Sequence, residues 1–410
     1  MAFRLIILFV IIAIVELYSF QVIKTVSKSK WILILYAVIS VAAIVFITYE
    51  LMKYDRSVGQ TKATLITLGL LLLVLLPKLV LTFVLLLEDV TRILIGSVTH
   101  FIGHNSDSFL PERRKFVSQV AIGLAAVPFL SLIYGMTIGK YNYKVIRQTL
   151  FFPDLPDAFD GFKITQISDI HSGSFDDENK IRYAIDLINE QESDLLLFTG
   201  DIVNAKADEM HPWIDIFKGI KKHEYGKYSV LGNHDYGAYL DWKSEKAKAE
   251  NFLAIKDLHR QIDFKLMLNE NVKIKKGKDE IALIGVENWG KHFGEFGDIN
   301  KASENLTETD FKILMSHDPS HWDYIVQHHQ KNFHLTLSGH THGMQFGIEI
   351  PGYFKWSLVQ YVYKQWAGLY ENKGKYVYVN RGFGFHAYSG RVGIMPEITV
   401  IELKKGNKLV

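Results

Sequence analysis

TQISDIHSG, residues Thr165–Gly173, sets two side chains of metal-binding type, Asp169 and His171, one residue apart just after the apolar run FKIT at Phe162–Thr165. A strand alternates its side chains between faces, and where its end opens into a loop such a pair is aimed at one point beyond the sheet. Asp-x-His is a common tripeptide, so the remaining ligands have to come from elsewhere in the chain. They recur wherever an apolar run stops. DLLLFTGDIVN (Asp194–Asn204) ends at Gly200-Asp201, YSVLGNHDYG (Tyr228–Gly237) at Asn233-His234, FKILMSHDP (Phe311–Pro319) at His317, and HLTLSGHTHGMQ (His334–Gln345) at His340 and His342. Between these runs lie helical patterns such as ENKIRYAIDLINEQE (Glu178–Glu192), so the segment from Phe162 onward is predicted to be an α/β domain with sheets covered by helices. Carboxyl ends of strands are where such folds collect reactive residues.

Asp-x-His, Gly-Asp-x-x-Asn, Gly-Asn-His-Asp, a lone His after a strand and Gly-His-Thr-His, in this order across Phe162–Leu403, resemble the calcineurin-like metallophosphoesterase superfamily. GHTHGMQ and the ending VNRGFG…PEITVIEL resemble its membrane-associated bacterial phosphodiesterases, the UDP-diacylglucosamine pyrophosphatase-like branch that cleaves a lipid-linked UDP-sugar pyrophosphate. The resemblance implies a four-layer α/β/β/α sandwich holding two divalent metal ions. By it, Asp201 bridges the ions, Asp169, His171 and His342 complete one, and Asn233, His317 and His340 complete the other. The mixed N and O donors suit Mn, Fe or Zn better than Mg or Ca, which prefer oxygen shells. The resemblance makes His234 the general acid that protonates the leaving oxygen. Asn204 departs from the pattern, since some relatives carry a second acid there that orients this histidine. An amide can orient the ring but supplies no charge. Met344 replaces a glycine of close relatives, on the expected pocket wall. Asn204 and Arg381 are candidates for substrate contact, as is Asn380, with a structural role as the alternative for Arg381 and Asn380. His211, His223, His292, His321, His328, His329, His334 and His386 fall outside the motifs and read as ordinary surface or core residues.

The first third of the chain is of another kind. Between Met1 and Arg147 there are 15 Lys+Arg against 7 Asp+Glu, leaving 31 against 37 for the remainder. The acidic remainder lacks the clustered cations that track phosphate backbones, so no nucleic-acid partner is expected. Four apolar runs, Leu5–Ile23, Trp31–Tyr49, Thr64–Leu87 and Phe116–Gly139, each match the ~20 residues needed to cross a bilayer. Glu16 and Lys78 are the charged exceptions within them, with Lys78 able to snorkel. VTRILIGSVTHFIGH (Val90–His104) has helical spacing suited to an interfacial helix or to an extension of the third span. The prolines and aspartates of FFPDLPDAF (Phe151–Phe159) suggest a linker, so the expected division is a transmembrane anchor at 1–147, a linker at 148–161 and the metallophosphoesterase domain at 162–410. Absence of cysteine excludes thiolate metal sites and thiol nucleophiles.

These readings combine into a multi-pass bacterial membrane protein that hydrolyses a phosphodiester or pyrophosphate, with a lipid-linked or cell-envelope substrate in view. The rivals are a catalytically silent binding module and a membrane sensor or transporter with an appended phosphoesterase. Charges flanking the spans tie, seven against seven. The paired arginines of PERRKFVSQVAIGLAAVPFL (Pro111–Leu130), resembling a twin-arginine export signal, favour a catalytic domain outside the cytoplasm.

Overall fold

A computed structural model of the chain describes residues 2–101, 111–350 and 352–407. It divides into two compact units, Met1–Tyr54 with Ile66–Tyr134, and Asp55–Leu65 with Gly135–Val410.

The first unit is built from α1 (Ala2–Val26), α2 (Lys30–Met52), α3 (Lys62–Phe101) and α4 (Pro111–Thr137). Leu-, Ile- and Val-rich runs become helices because a lipid core offers the backbone no other hydrogen-bond partners. Lys30–Met52, Lys62–Val98 and Glu112–Thr137 are long and apolar enough to cross a membrane. α3 runs unbroken through Pro77 to Phe101, so Val90–Phe101 extends the third helix rather than forming a separate interfacial one. Residues 102–104 of that reading lie outside the described residues. Lys78 does not snorkel. Its Nζ lies 2.5 Å from Glu16 Oε1 and donates to Ser40 Oγ at 2.6 Å, while Ser40 donates to Glu16 Oε2 at 2.6 Å. The two charges therefore satisfy each other between helices, as groups at that depth must. Arg114, the second of the paired arginines, is held by Glu88 and Asp89.

In the second unit the strands follow in the order β1 (Lys144–Phe152), β2 (Lys163–Ile167), β3 (Leu195–Phe198), β4 (Lys227–Ser229), β5 (Lys265–Leu266), β6 (Glu270–Lys276), β7 (Asp279–Gly285), the short pair β8 (Trp289–Gly290) and β9 (Gly294–Glu295), β10 (Lys312–Met315), β11 (Leu335–Ser338), the hairpin β12 (Gly347–Ile350) and β13 (Phe354–Ser357), β14 (Gly368–Asn372), β15 (Lys375–Val379) and β16 (Glu397–Lys405). They form two six-stranded sheets, β1-β16-β2-β3-β4-β5 and β14-β15-β11-β10-β7-β6. β2, β3, β4 and β5 are mutually parallel, as are β7, β10, β11 and β15. β1 pairs in parallel with β16, so Lys144–Phe152 belongs to the sheet and the segment read as a linker begins inside a strand.

Alternation along the strands builds the layers. Leu195 and Leu197 of β3 face Ile313, Met315, Leu335 and Leu337 in a core between the sheets. Leu196 and Phe198 face the opposite way, onto α5 (Glu178–Asn189) and onto α7 (Glu245–Gln261), which follows the short α6 (Ile214–Phe217). α5 is capped by Asp177, which accepts from Lys180 N, and presents Ile181, Ala184, Ile185 and Ile188 as one buried stripe. On the far side Ile284, Leu314 and Val377 pack under Ile299, Trp322 and Phe333. The result is a four-layer α/β/β/α sandwich. Its parallel strands are buried on both faces, which is why they read as unbroken apolar runs.

Candidate metal centre

The loops after β2, β3, β4, β10 and β11 converge at one end of the sandwich and bring together Asp169, His171, Asp201, Asn233, His317, His340 and His342, with His234 beside them. Among the described residues, three groups lie close enough to hold an ion: Asp169 with His171 and His342, Asp201 with His317 and His340, and His171 with Asp201 and His234. Asp201 belongs to two of them. Its Oδ2 lies 3.1 Å from His317 Nε2 and 3.6 Å from His171 Nε2, and Asp169 Oδ1 lies 3.2 Å from His342 Nε2.

The backbone turns sharply to achieve this. Asp169, His171, Asp201, His340 and His342 all have positive φ, between 48° and 70°, a conformation that side chains other than glycine adopt at a cost of order 1–3 kcal/mol each. Hydrogen bonds hold the loops there. Asp235, fully buried, accepts from the backbone N of Asp201, Ile202 and Gly232 at 2.8–3.0 Å and so locks the loops after β3 and β4 together. Burial and the neighbouring Asp201 push its carboxyl up to about 7. Gly232 is required by close approach, since a Cβ there would fall 2.2 Å from Asp201 Oδ1.

Partners assign the ring tautomers, and with them the atoms left for an ion. His317 Nδ1 faces the Thr199 carbonyl at 2.7 Å, which frees Nε2. His171 Nδ1 faces Asn204 Oδ1 at 3.1 Å, which again frees Nε2. His340 Nε2 is 2.8 Å from Tyr363 Oη and 3.4 Å from Asp318 Oδ2, so its Nδ1 points to Asn233 Oδ1 at 2.8 Å. The Asn233 amide is set by Nδ2 donating to Tyr239 Oη at 2.7 Å. His342 Nε2 is buried, makes no aligned hydrogen bond and faces the Asp169 carboxylate at 3.2 Å. A buried imidazole nitrogen held beside a carboxylate with no aligned hydrogen bond, among further imidazoles, is what a cation site requires, so these residues fit a metal.

Charge balance agrees. Burial opposes ionisation of Asp169, yet His342 and His317 hold its carboxyl below the usual range. Asp201 is likewise held low against burial by His317 and His234. Burial keeps the His171, His340 and His342 pKa values low and their rings neutral, as ligation demands. His317 goes the other way, raised to about 10 because Asp201 outweighs burial, so an ion binding there must displace a proton.

Asn204 acts differently from the expectation. Its backbone carbonyl accepts from His234 Nδ1 at 2.7 Å, while its side chain serves His171. The Arg381 guanidinium is spent on Glu349 and Glu397, each at 2.5 Å, the structural alternative its sequence context left open. Met344 is half-exposed. Several contributors carried no recognisable signal. His386, read as an ordinary histidine, sits with its ring 4.5 Å from that of His234 and 4.8 Å from that of His171. Buried Arg391 donates to the Gly384 and Gly382 carbonyls, and its Nη2 lies 3.0 Å from His342 Nδ1, fixing that ring. Asp318 was in plain view beside His317, but only its contact with His340 reveals its task. Next to Asn233 a cavity of about 420 Å³ is walled by Tyr236, Tyr239, Phe252, Phe293 and Phe296.

Residues 3–140 match the family described as probable calcineurin-like phosphoesterase, transmembrane domain, and residues 162–344 match calcineurin-like phosphoesterase. The uncharacterized metallophosphoesterase YkuE of Bacillus subtilis is 31% identical over 303 residues, covering 72% of this chain and 99% of its own. The transmembrane protein with metallophosphoesterase domain of Danio rerio is 25% identical over 67% of this chain and 60% of its own length, and the Bos taurus protein of that description is 27% identical over 72% and 64%.

Proposed function

Because the chain belongs to the calcineurin-like metallophosphoesterase family, in a membrane-bound form, we propose that it hydrolyses a phosphodiester or pyrophosphate bond of a lipid or cell-envelope substrate at a binuclear centre of Mn, Fe or Zn. The observation that carries the reading is that Asp201 lies in two of the three groups of imidazoles and carboxylates able to hold an ion. In this reading Asp201 bridges, Asp169, His171 and His342 hold one ion, and Asn233, His317 and His340 hold the other. Bound there, two ions would activate a water and neutralise phosphoryl charge.

The chain's own residues do the rest. Asp235 and Arg391 keep the ligand loops and the His342 ring in place, so the donors need no rearrangement during turnover. His234 Nδ1 is committed to the Asn204 carbonyl, which leaves Nε2 to carry the proton given to the leaving oxygen. His386, against both His234 and His171, closes the far side of that proton path. The aromatic cavity beside Asn233 receives an apolar or aromatic part of the substrate.

The test is hydrolysis by purified full-length protein loaded with Mn, offered a chromogenic phosphodiester, a phosphomonoester, a lipid-linked nucleotide pyrophosphate and its soluble counterpart side by side. Preference for the lipid pyrophosphate is the expected result. Metal-replete protein that cleaves none of the four would overturn the proposal in favour of a silent binding module.

A further inference from the structure

The hairpin of β12 and β13 is inside out. Its cross-strand pairs are Ile348 with Trp356, Glu349 with Lys355, and Ile350 with Phe354. Strand alternation puts the first and third pairs on one face and the charged pair on the other. The charged face is turned inward, where Glu349 meets Arg381 and Lys355 donates to the Ala367 carbonyl. The apolar face is turned outward. Ile348, Ile350 and Phe354 are each more than half exposed, and Tyr353 at the tip is 91% exposed. The following turn repeats the pattern, with Val359 buried against Trp366 and Ile394 while Tyr361 and Val362 stand 75% and 72% exposed. A hairpin facing water places its residues the other way round, and a contiguous exposed apolar surface of this kind marks a binding face.

The root of the hairpin says what covers it. Gly347 N donates to the Val392 carbonyl, and Val392 N donates to the Gln345 carbonyl. On the same short segment, Arg391 N donates to the carbonyl of Gly135 in the last turn of α4, and Ser389 N donates to the carbonyl of Leu65 in the first turn of α3. Gly135 and Leu65 belong to the same compact unit as the hairpin. The points where two spans end and the hairpin begins are thus a single hydrogen-bonded segment apart. From that root the four residues of β12 reach only roughly 13 Å, within the depth of a headgroup layer.

We propose that the β12–β13 hairpin and the turn at Leu358–Val362 form a docking surface for the lipid bilayer, with Ile348, Ile350, Tyr353, Phe354, Tyr361 and Val362 seated in its interfacial layer. Tyr and Phe are suited to that depth, where one end of the ring is apolar and the other wet. Val362 directly precedes Tyr363, whose hydroxyl positions His340, so docking presents the ligand cluster to the headgroup layer. This inference does not depend on what bond the site cleaves.

A chain without cysteine makes the test direct. Tyr353→Cys, an exposed position whose replacement does not threaten folding, and Lys278→Cys in the β6–β7 turn as reference, are each labelled with an environment-sensitive fluorophore. Both full-length proteins are placed in phosphatidylethanolamine/phosphatidylglycerol vesicles, with nitroxide-bearing lipid or aqueous iodide as quencher. The Tyr353→Cys probe should emit to the blue of the reference, lose fluorescence to nitroxide lipid, and be reached by iodide severalfold less. Equal iodide access at both positions would overturn the proposal. So would shielding from both quenchers, which would mean that protein, such as a second copy of this chain, covers the face.

Discussion

One methyl group at Gly384 should weaken metal binding at the centre. A Cβ there would fall 1.9 Å from the Ile170 carbonyl oxygen and 2.8 Å from its carbon, whereas real Cβ contacts essentially never come under 3.0 Å. Relief requires a separation of about 1.1 Å, and neither backbone is free to supply it. Gly384 N donates to the Asp169 carbonyl at 2.8 Å and Phe383 N to that of Ser168 at 2.7 Å. The residue forced to move therefore lies between Asp169 and His171. Displacing a reacting geometry by about 1 Å costs on the order of 10²-fold in rate, and disturbing the support of metal ligands costs roughly 10–100-fold in affinity. Overpacking itself removes only about 1–3 kcal/mol, so the fold should persist. Full-length Gly384→Ala is equilibrated with Mn, passed through gel filtration and measured for metal per chain by mass spectrometry, with a thermal melt alongside. A folded variant with wild-type metal content and turnover would refute the argument that this glycine exists to let the ligand loop pass.

Asp201→Asn should lose activity and most bound metal, whereas His234→Ala should keep the metal and lose roughly 10²-fold or more in turnover; metal stripped by the second change would make His234 a ligand rather than an acid. Arg381→Met leaves Glu397 buried without its cation, so a loss of about 3–5 kcal/mol is expected. Metal content per folded chain and KM should be unchanged, and a raised KM with an unaltered melt would instead make Arg381 a substrate contact. In chelated protein the raised pKa of His317 adds stability that is full below the ordinary imidazole value and is lost as pH climbs through about 10. The depressed Asp169 and Asp201 lose theirs only as pH falls below the usual carboxylate range. Melting temperature should therefore decline on the alkaline side before metal is restored, and a flat alkaline profile would deny the His317–Asp201 pair. For orientation, alkaline phosphatase fused after Lys144 should be active and a cytoplasm-only fluorophore dark; the opposite pattern would put the catalytic unit in the cytoplasm.

The residues gathered at the centre were legible because each follows an apolar strand within a few residues, a pattern contained in a dozen consecutive residues. The apolar spans were legible for the same reason, since length and composition decide whether a helix can cross lipid. The boundary at 148–161 misled because proline and aspartate mark a turn locally, while the strand before them pairs with residues some 250 positions later in the chain, a partner that local pattern cannot reveal.

By itself, then, the sequence determined which side chains could meet an ion and which segments enter lipid, both being properties of short stretches. Only the tertiary structure decided what holds those side chains in place. Asp235, Asp318, Tyr363, Arg391 and His386 act through contacts across the fold; Asp235 and Asp318 stand next to motif histidines, but their tasks, like those of the other three, show only in those contacts. The hairpin is the sharpest case. Its residues read equally as core or as surface until strand register is known, because a shift of one position exchanges the two faces. With Ile348 opposite Trp356 the apolar side is the outer one.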